Sequence, residues 1–530
     1  MAETQVAKKR RTLEAEAGYK TFSRSGLYHW LSFGLPFGLA LAVYFATAAG
    51  GLTWRHGGED GGDLATAFAL GGIPHPTGYP LYLLAGWLFR PFGSDPAATL
   101  ALASVIWGAL AAGLLGQVSY RLNLLCLRPA PASFSLAGAL LAGTGLAFTP
   151  LVWSQALIVE INSFNLALNL AAVLALLLWW EKKASLPRLL ALAFLAGLAI
   201  GQHRTAIFTL LALLAFMLAG SRMASTSFSS SFHKINKKIW LGGLSFFGLG
   251  LCLPYLYVVL RGGSVPASNW SDAGPANFGG IWQLFTGETY QNLLFAAPLP
   301  QSLGRIAASV SLLWQEGSLP GVALGWLGLV MAWRIPAARP AAWLATVGIG
   351  LHTAFAAVYA AENSQVYLMP AFALWAALAG LGLAWAGWRS GQLARKLPPG
   401  LLPGALFSLA LALPLANMAL NYSRVNLQGD RQAQQWAGTQ LDSAPPGAIL
   451  VTNSDAATFA LWYGSYVEKR RPDVAVIESR LLNQAWYRRN LARLYPDLNI
   501  VANSPDLSAT NPGHPVRFIP DPLAPGRNLP

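Results

Sequence analysis

Charge is what this sequence has least of. Asp, Glu, Lys and Arg together make up 11% of its 530 residues, less than half the roughly 25% of an average soluble globular chain. So few ionic groups exclude a soluble enzyme of this size, and equally an intrinsically disordered chain. Cysteine is scarcer still. Cys126 and Cys252 are the only two, far apart and in or beside apolar runs, so they form neither a disulfide framework nor a metal-ligand spacing. Repeats of fixed period are also missing.

What fills the sequence is apolar. Hydrophobic residues account for 54%, with 20 Trp and 53 Gly, residue types at home in membrane helices and at their interfaces. Mean hydropathy is +0.43. The chain reads as a polytopic membrane protein. Eleven uncharged stretches approach the ~20 residues that cross a bilayer: 29–50, 99–120, 134–150, 163–180, 189–200, 205–220, 239–260, 317–333, 341–361, 366–388 and 401–420. The stretch at 189–200 is the shortest. An odd number puts the two termini on opposite sides.

The distribution of charge orients the bundle. With the N-terminal group Lys8, Lys9, Arg10, Arg11, Lys20 and Arg24 in the cytoplasm, inner segments up to residue 420 hold 20 basic residues. The outer loops hold five, namely Arg55, Arg90, Arg204, Arg261 and Arg305, and the remaining 11 lie beyond residue 420. That asymmetry is the positive-inside pattern, and it assigns the net charge of +14 to membrane topology, with no nucleic-acid partner expected. The basic start leads into an apolar run too long for a cleaved signal, so it reads as a signal anchor. The basic, Ser-rich segment 221–238 reads as a cytoplasmic loop without chemistry.

Acids run the other way. Glu59, Asp60, Asp63, Asp95, Glu160, Asp272, Glu288, Glu316 and Glu362 all fall on the outer side. Acids do little to set topology, so a cavity opening on that side is the reading that explains them.

The first outer loop is the richest segment, with Glu59, Asp60 and Asp63 within five residues. Carboxylates this close repel one another and are costly at a membrane surface unless a cation, a proton or a substrate hydroxyl uses them. Glycines at 57, 58, 61 and 62 let the backbone turn tightly, and Pro74, Pro76 and Pro80 fix the chain's re-entry. The competing reading is a solvated turn. The piece 81–92, interrupted by Arg90 and Pro91, reads as an interfacial helix.

Other candidates sit at the same level. Glu160 interrupts a long apolar run, where an acid marks a functional site unless it is a structural ion pair. His203 beside Arg204 suits a phosphate, although a lone buried His is more often a satisfied core residue. Arg261 is a second phosphate candidate, with interfacial anchoring as the alternative. Glu362, in Glu362-Asn363-Ser364-Gln365-Val366-Tyr367, is a further acid that an ordinary loop cap would also explain. His56, His352 and His514 show no metal-like spacing. Beyond residue 420 the pattern changes: GAILVT, DVAVIE and NIVAN predict short strands with helices near 456–468 and 483–494 between them. Three segments follow: a cytoplasmic N-terminus (1–27), a transmembrane region (28–420, with the first outer loop at 51–97) and a small extracytoplasmic α/β domain (421–530).

Together these segments resemble the GT-C membrane glycosyltransferases, specifically the protein O-mannosyltransferase-like family. The family pattern is an acidic GGDSGE-like loop and, about twelve residues later, AHPPGYPLY. Here Glu59-Asp60-Gly61-Gly62-Asp63 is followed, twelve residues after Asp63, by His75-Pro76-Thr77-Gly78-Tyr79-Pro80-Leu81-Tyr82. QALIVEINSFN resembles the family's acidic segment, GQHRT its His-Arg/Thr segment, ENSQVYLMP its late loop around Tyr367, and 454–487 its region after the last span. Thr77 replaces a usual Pro, Asp63 a usual Glu and Asn162 a usual Tyr.

The resemblance implies an all-α GT-C-like bundle of about eleven helices with the small α/β domain outside. It implies inverting transfer of a sugar, mannose by analogy, from a polyprenyl-phosphate donor to a hydroxyl acceptor, a protein Ser or Thr or alternatively a lipid or cell-envelope glycan, on the outer face of a bacterial plasma membrane among its lipids. Asp60 and Asp63 are the expected catalytic residues, with Asp60 as general base. Glu59, His75, Tyr79, Glu160, His203, Arg204, Arg261, Glu362 and Tyr367 are expected to bind substrate, the cationic ones at the departing phosphate. No cofactor is expected, although the three carboxylates form a donor set that a hard divalent cation accepts. A secondary transporter would require two related halves, and none are found. A membrane scaffold acting through its outer domain would leave the acidic loop without purpose.

Overall fold

The computed structural model describes residues 26–181, 185–222, 237–270, 277–393, 398, 401–500 and 507–524. Most of the basic N-terminus and of the 221–238 loop therefore lies outside the described residues, as does Asp272.

Every one of the eleven apolar stretches falls on helix. Among the described residues seven helices are long and apolar enough to cross a membrane: Gly26–Thr47, Pro96–Cys126, Asn162–Glu181, Ile239–Arg261, Pro336–Val358, Ser364–Leu393 and Leu401–Val425. Three shorter apolar helices, Ala132–Ala147, Leu186–Gln202 and Ala206–Ser221, supply three more. The stretch at 189–200 gains length because Pro187 and Arg188 join its first turn, where a missing N–H costs nothing. The eleventh is the second part of Leu299–Arg334. Its helical course breaks at Ser318 (φ 57°, ψ 158°) just before Pro320, so Leu299–Gly317 forms a separate, largely exposed helix where the sequence suggested only loop.

Close approach holds the bundle. In lipid there is little hydrophobic drive between helices, so packing depends on small residues that let backbones meet. A Cβ placed on Gly138 would lie 2.1 Å from the Gly380 carbonyl oxygen, which means that Ala132–Ala147 and Ser364–Leu393 touch through bare backbone.

After the last long helix the chain forms Gln432–Asp442 and then a three-stranded parallel sheet. Strand β1 is Ile449–Thr452, β2 is Ala475–Glu478 and β3 is Val516–Phe518, in the order β2-β1-β3. Strands β1 and β2 are buried throughout, as parallel strands covered on both faces should be. The third strand corrects the sequence reading. Residues 499–500 of NIVAN carry no regular structure, 501–503 lie outside the described residues, and Val516 pairs with Ile449 instead. A three-residue, largely exposed edge strand carries almost no apolar pattern. The helix expected over 456–468 is Asp455–Trp462, followed by a π turn at Tyr463–Val467. The one expected over 483–494 is Ala485–Leu494.

This sheet unit sits on the first loop. Helix Asp455–Trp462 packs so tightly on helix Gly61–Leu70 that a Cβ on Gly62 would lie 2.3 Å from the Phe459 carbonyl oxygen. The Trp54 indole N–H donates to the Ala456 carbonyl at 3.1 Å. The first loop and the C-terminal unit therefore lie at the same end of the bundle.

Candidate active site

At that end the loops line an open cavity of about 850 Å³. Its walls come from the first loop, the Glu160 and His203 turns, the 286–294 and 359–367 segments and the C-terminal unit. Glu59, Asp60, His75, Tyr79, Glu160, His203, Arg204, Glu362 and Tyr367 all line it.

Asp60 occupies the N-cap position of helix Gly61–Leu70 but makes no capping hydrogen bond. Its side chain is instead 43% exposed and lines the cavity. The surrounding protein raises its pKa above the ordinary carboxylate range, the charge of His75 opposes the rise, and Asp455 and Asp63 add to it.

One helical turn on, Asp63 is wholly buried and does not line the cavity. Its Oδ2 accepts the His75 backbone N–H at 2.7 Å and lies 2.8 Å from His75 Nδ1, while Oδ1 accepts the Trp270 indole N–H at 3.1 Å. With every contact inside the protein, Asp63 is not placed to touch a substrate. The geometry corrects its expected part to that of a group orienting His75. The other ring nitrogen of His75, Nε2, lies 3.6 Å from Asp60 Oδ2. Burial disfavours a charge on this imidazole, yet Asp60 and Asp63 outweigh it and hold its pKa up at about 9. Asp60, His75 and Asp63 thus form a carboxylate–imidazolium–carboxylate row in which only the first member meets the cavity openly.

Tyr79 separates the two cavity histidines. It sits edge-on to His75 (5.3 Å between ring centroids) and parallel to His203 (6.4 Å). Its φ of 37° is uncommon for a bulky side chain, and such residues cluster where structure around a site overdetermines them.

His203 is the electrostatic opposite of His75. Burial and the neighbouring Arg204 depress its pKa to about 3, so it is a neutral ring and not the cation the sequence suggested. Its Nδ1 lies 2.8 Å from the Thr205 hydroxyl and accepts the Thr205 N–H at 3.4 Å, an assignment that leaves Nε2 carrying the proton as a neutral donor.

Arg204 reaches the cavity but is mostly engaged. Its guanidinium donates to the carbonyls of Phe285, Ile200 and Gly201 and to the Tyr255 hydroxyl, closing the end of helix Leu186–Gln202. Its Cζ lies 3.9 Å from the Phe285 ring centroid. Arg261 is a clearer correction. It does not line the cavity, and its Nε and Nη2 donate to the Gly71 and Leu70 carbonyls at 2.7 and 3.2 Å, capping the end of helix Gly61–Leu70.

Glu160 is buried without an ion pair among the described residues. Its Oε2 accepts the Ile161 N–H at 3.1 Å and the Asn162 side chain at 3.3 Å, and burial together with Asp60 raises its pKa well above the usual range. Glu59 accepts from Asn363 at 3.2 Å, and burial, with help from Asp60 and Glu362, lifts it to about 7. Not every outer acid belongs here: Asp95 caps helix Pro96–Cys126, and Glu316 accepts the Leu151 N–H at 2.8 Å away from the cavity. Among the described residues no group of three or more His, Cys, Asp and Glu is arranged to hold a metal ion.

Sequence reasoning missed the wall opposite the bundle. Asn453, Ser454, Asp455, Arg480 and Asp521 line the cavity from the C-terminal unit. A signal was available, because ligands of open parallel sheets gather beyond the carboxyl ends of the strands, where these residues stand.

The model of the protein O-mannosyl-transferase TMEM260 N-terminal domain matches residues 60–227, and that of TMEM260-associated domain 2 matches residues 433–501. The mouse protein O-mannosyl-transferase TMEM260 is 26% identical over 461 residues, covering 83% of this chain and 62% of its own length. The chain thus spans under two thirds of that relative. Among solved structures, ArnT from Cupriavidus metallidurans bound to undecaprenyl phosphate aligns with TM-score 0.51 and 15% identity, over 85% of this chain and 91% of its own. The Archaeoglobus fulgidus oligosaccharyltransferase AglB aligns with TM-score 0.48 and 13% identity, over 89% of this chain and 69% of its own.

Proposed function

We propose that this chain, an O-mannosyltransferase-like membrane protein of GT-C fold, is an inverting glycosyltransferase. It moves a sugar, mannose by its likeness to the mouse relative, from a polyprenyl phosphate to a Ser or Thr hydroxyl of a protein on the outer face of the membrane. The observation that carries this reading is the single cavity in which a proton-accepting carboxylate, Asp60, shares space with the donor groups of His203 and Arg204. The undecaprenyl phosphate bound by ArnT, which is similar in fold, supports a polyprenyl-phosphate donor.

In that step the acceptor hydroxyl gives its proton to Asp60 as its oxygen attacks the anomeric carbon. The bond from that carbon to the phosphate oxygen breaks, and the electron pair leaves with the lipid phosphate. A general base must lie within hydrogen-bond reach of the proton it takes, and Asp60 is the acid with an open carboxylate. Asp63 positions His75, whose charge opposes the rise that burial imposes on the Asp60 pKa. At the other end the departing phosphate meets the Nε2–H of His203 and the Arg204 guanidinium. Donors already fixed by the protein stabilise developing charge without reorganising.

The test is transfer of labelled sugar from synthetic polyprenyl-phosphate mannose and polyprenyl-phosphate glucose to Ser/Thr peptides by the purified chain. Wild type is compared with Asp60→Asn, each with and without chelator. Turnover that survives chelation and collapses in Asp60→Asn supports the metal-independent base mechanism. Loss on chelation, restored by Mg²⁺ or Mn²⁺, would instead assign the acidic loop to a cation.

A further inference from the structure

The cavity has one wall that the sugar-transfer chemistry does not use. It is built by the C-terminal unit, and its construction follows the sheet. After β1 come Asn453, Ser454 and Asp455, after β2 comes Arg480, and after β3 comes Asp521. The carboxyl ends of all three parallel strands therefore open onto the same space as Asp60. That edge is where open parallel sheets hold their ligands, because chain segments leaving in different directions create a crevice there.

Arg480 and Asp455 are the charged pair at this edge. Arg480 Nη2 donates to Asp455 Oδ1 at 2.5 Å. Behind them Glu478, only 2% exposed, fixes the arginine: its Oε1 accepts both the Arg480 backbone N–H and Nε at 2.9 Å. The Thr458 hydroxyl in turn donates to Glu478 Oε2 at 2.6 Å. Burying a carboxylate to hold a guanidinium is weak support for stability, since apolar residues of the same volume do as well or better. It does hold a half-exposed fork rigidly at the cavity wall. Arg480 and Asp455 keep side-chain exposures of 53% and 47%, and the contacts described involve neither Arg480 Nη1 nor Asp455 Oδ2.

From this wall we infer that the carboxyl edge of the C-terminal sheet is the acceptor subsite, and that Arg480 and Asp455 bind an extended peptide beside its reacting hydroxyl residue. The pair offers a donor and an acceptor side by side, the complement of a peptide's C=O and N–H. The lipid-linked donor needs the membrane side of the cavity, so the wall away from the bundle is the one left for the acceptor. Asp455 and Asp60 line the same cavity, so a peptide held at this edge shares the space into which the base opens. The inference rests on the transfer reaction proposed above and adds where its second substrate sits.

The experiment uses the full chain with polyprenyl-phosphate mannose and a Ser/Thr peptide, varying each in turn, for wild type, Asp455→Asn and Arg480→Lys. Asp455→Asn leaves the buried Glu478–Arg480 contact in place, and Arg480→Lys keeps a cation against Glu478, so one of the two is expected to fold even if the other does not. The expected result is a peptide KM raised about tenfold with the donor KM within twofold of wild type. Equal peptide KM values in wild type and variants overturn the subsite, as does a rise confined to the donor KM. A wild type that glycosylates glycans and ignores peptides overturns the peptide as ligand. No donor consumption by wild type overturns the transfer reading itself, and that result is visible before any variant is made.

Discussion

Two histidines lie on the same cavity wall, separated by the ring of Tyr79, and they carry opposite protonation states. His75 faces Asp60 and Asp63 and is held charged, whereas His203 lies beside Arg204 and is held neutral. Burial disfavours the charge on both rings, so their neighbours decide. The difference divides the cavity into an end that handles a proton and an end that can receive an anion without bringing a titrating group to it. A displacement that removes a proton on one side of a carbon and releases a phosphate on the other needs that separation.

The largest way to break the comparison is to remove the base. Asp60→Asn keeps shape and loses proton affinity, so kcat should fall by about 10³, within the range that general-base catalysis supplies. Initial rates at saturating donor and peptide measure it. Asp63→Asn, by contrast, should act through His75, lowering kcat less and changing its pH dependence more.

A second test exchanges the charge of one end. In His75→Gln, Asp60 loses its nearest cation, so its pKa rises further and the acid limb of kcat/KM should move to higher pH, with kcat at neutral pH down about 10-fold to 100-fold. An unchanged acid limb would show that His75 only fills space. Stability gives an independent reading. The folded-state pKa of His75, about 9, lies above the ordinary ~6.5 of an unfolded chain. Its contribution is therefore fully present below about pH 6.5 and is lost as pH rises through about 9. Thermal unfolding across that window should show the decline in wild type and a flatter curve in His75→Gln.

The neutral end should respond differently. His203→Phe retains the stack on Tyr79 and removes the Nε2–H, so the donor KM should rise about tenfold for one lost hydrogen bond to a charged group. Its pH profile between 5 and 8 should match wild type, because a ring with pKa about 3 does not titrate there. A shifted profile would mean that His203 is charged in the working enzyme, and the division of the cavity would fail.

How much of this was legible in the sequence depends on the distance over which the signal acts. Membrane helices declare themselves through twenty consecutive residues, and even the short piece at 189–200 was found. The kink at Ser318 was readable only as the point where an apolar run begins. Strand β3 was not, because its three residues are ordered by pairing with Ile449–Val451 and not by their own pattern. In the site, the acidic loop and its partners at 160, 203, 362 and 367 were identifiable as outer-side polar residues in apolar surroundings. That Asp63 turns inward while Asp60 faces the cavity depends on His75 and Trp270, the latter 207 residues away in the chain. The wall around Arg480 was missed because it becomes part of the cavity only when the sheet unit docks on Gly62.

The two arginines expected at the phosphate show the same limit and give the smallest predicted effect. In sequence Arg204 and Arg261 look alike, each at the outer end of an apolar run. In the structure both donate to backbone carbonyls at helix ends, but Arg204 also faces the cavity while Arg261 donates to Leu70 and Gly71 and does not line it. Arg261→Met keeps the aliphatic stem and removes both hydrogen bonds. It should therefore lower stability by about 1–3 kcal/mol, from carbonyls left partly unsatisfied, and leave the donor KM within about twofold. Arg204→Met should raise the donor KM several-fold more than Arg261→Met at a comparable loss of thermal stability. Equal donor KM values in the two variants would mean that Arg204 too is only a helix cap, and the anion end would then rest on His203 alone.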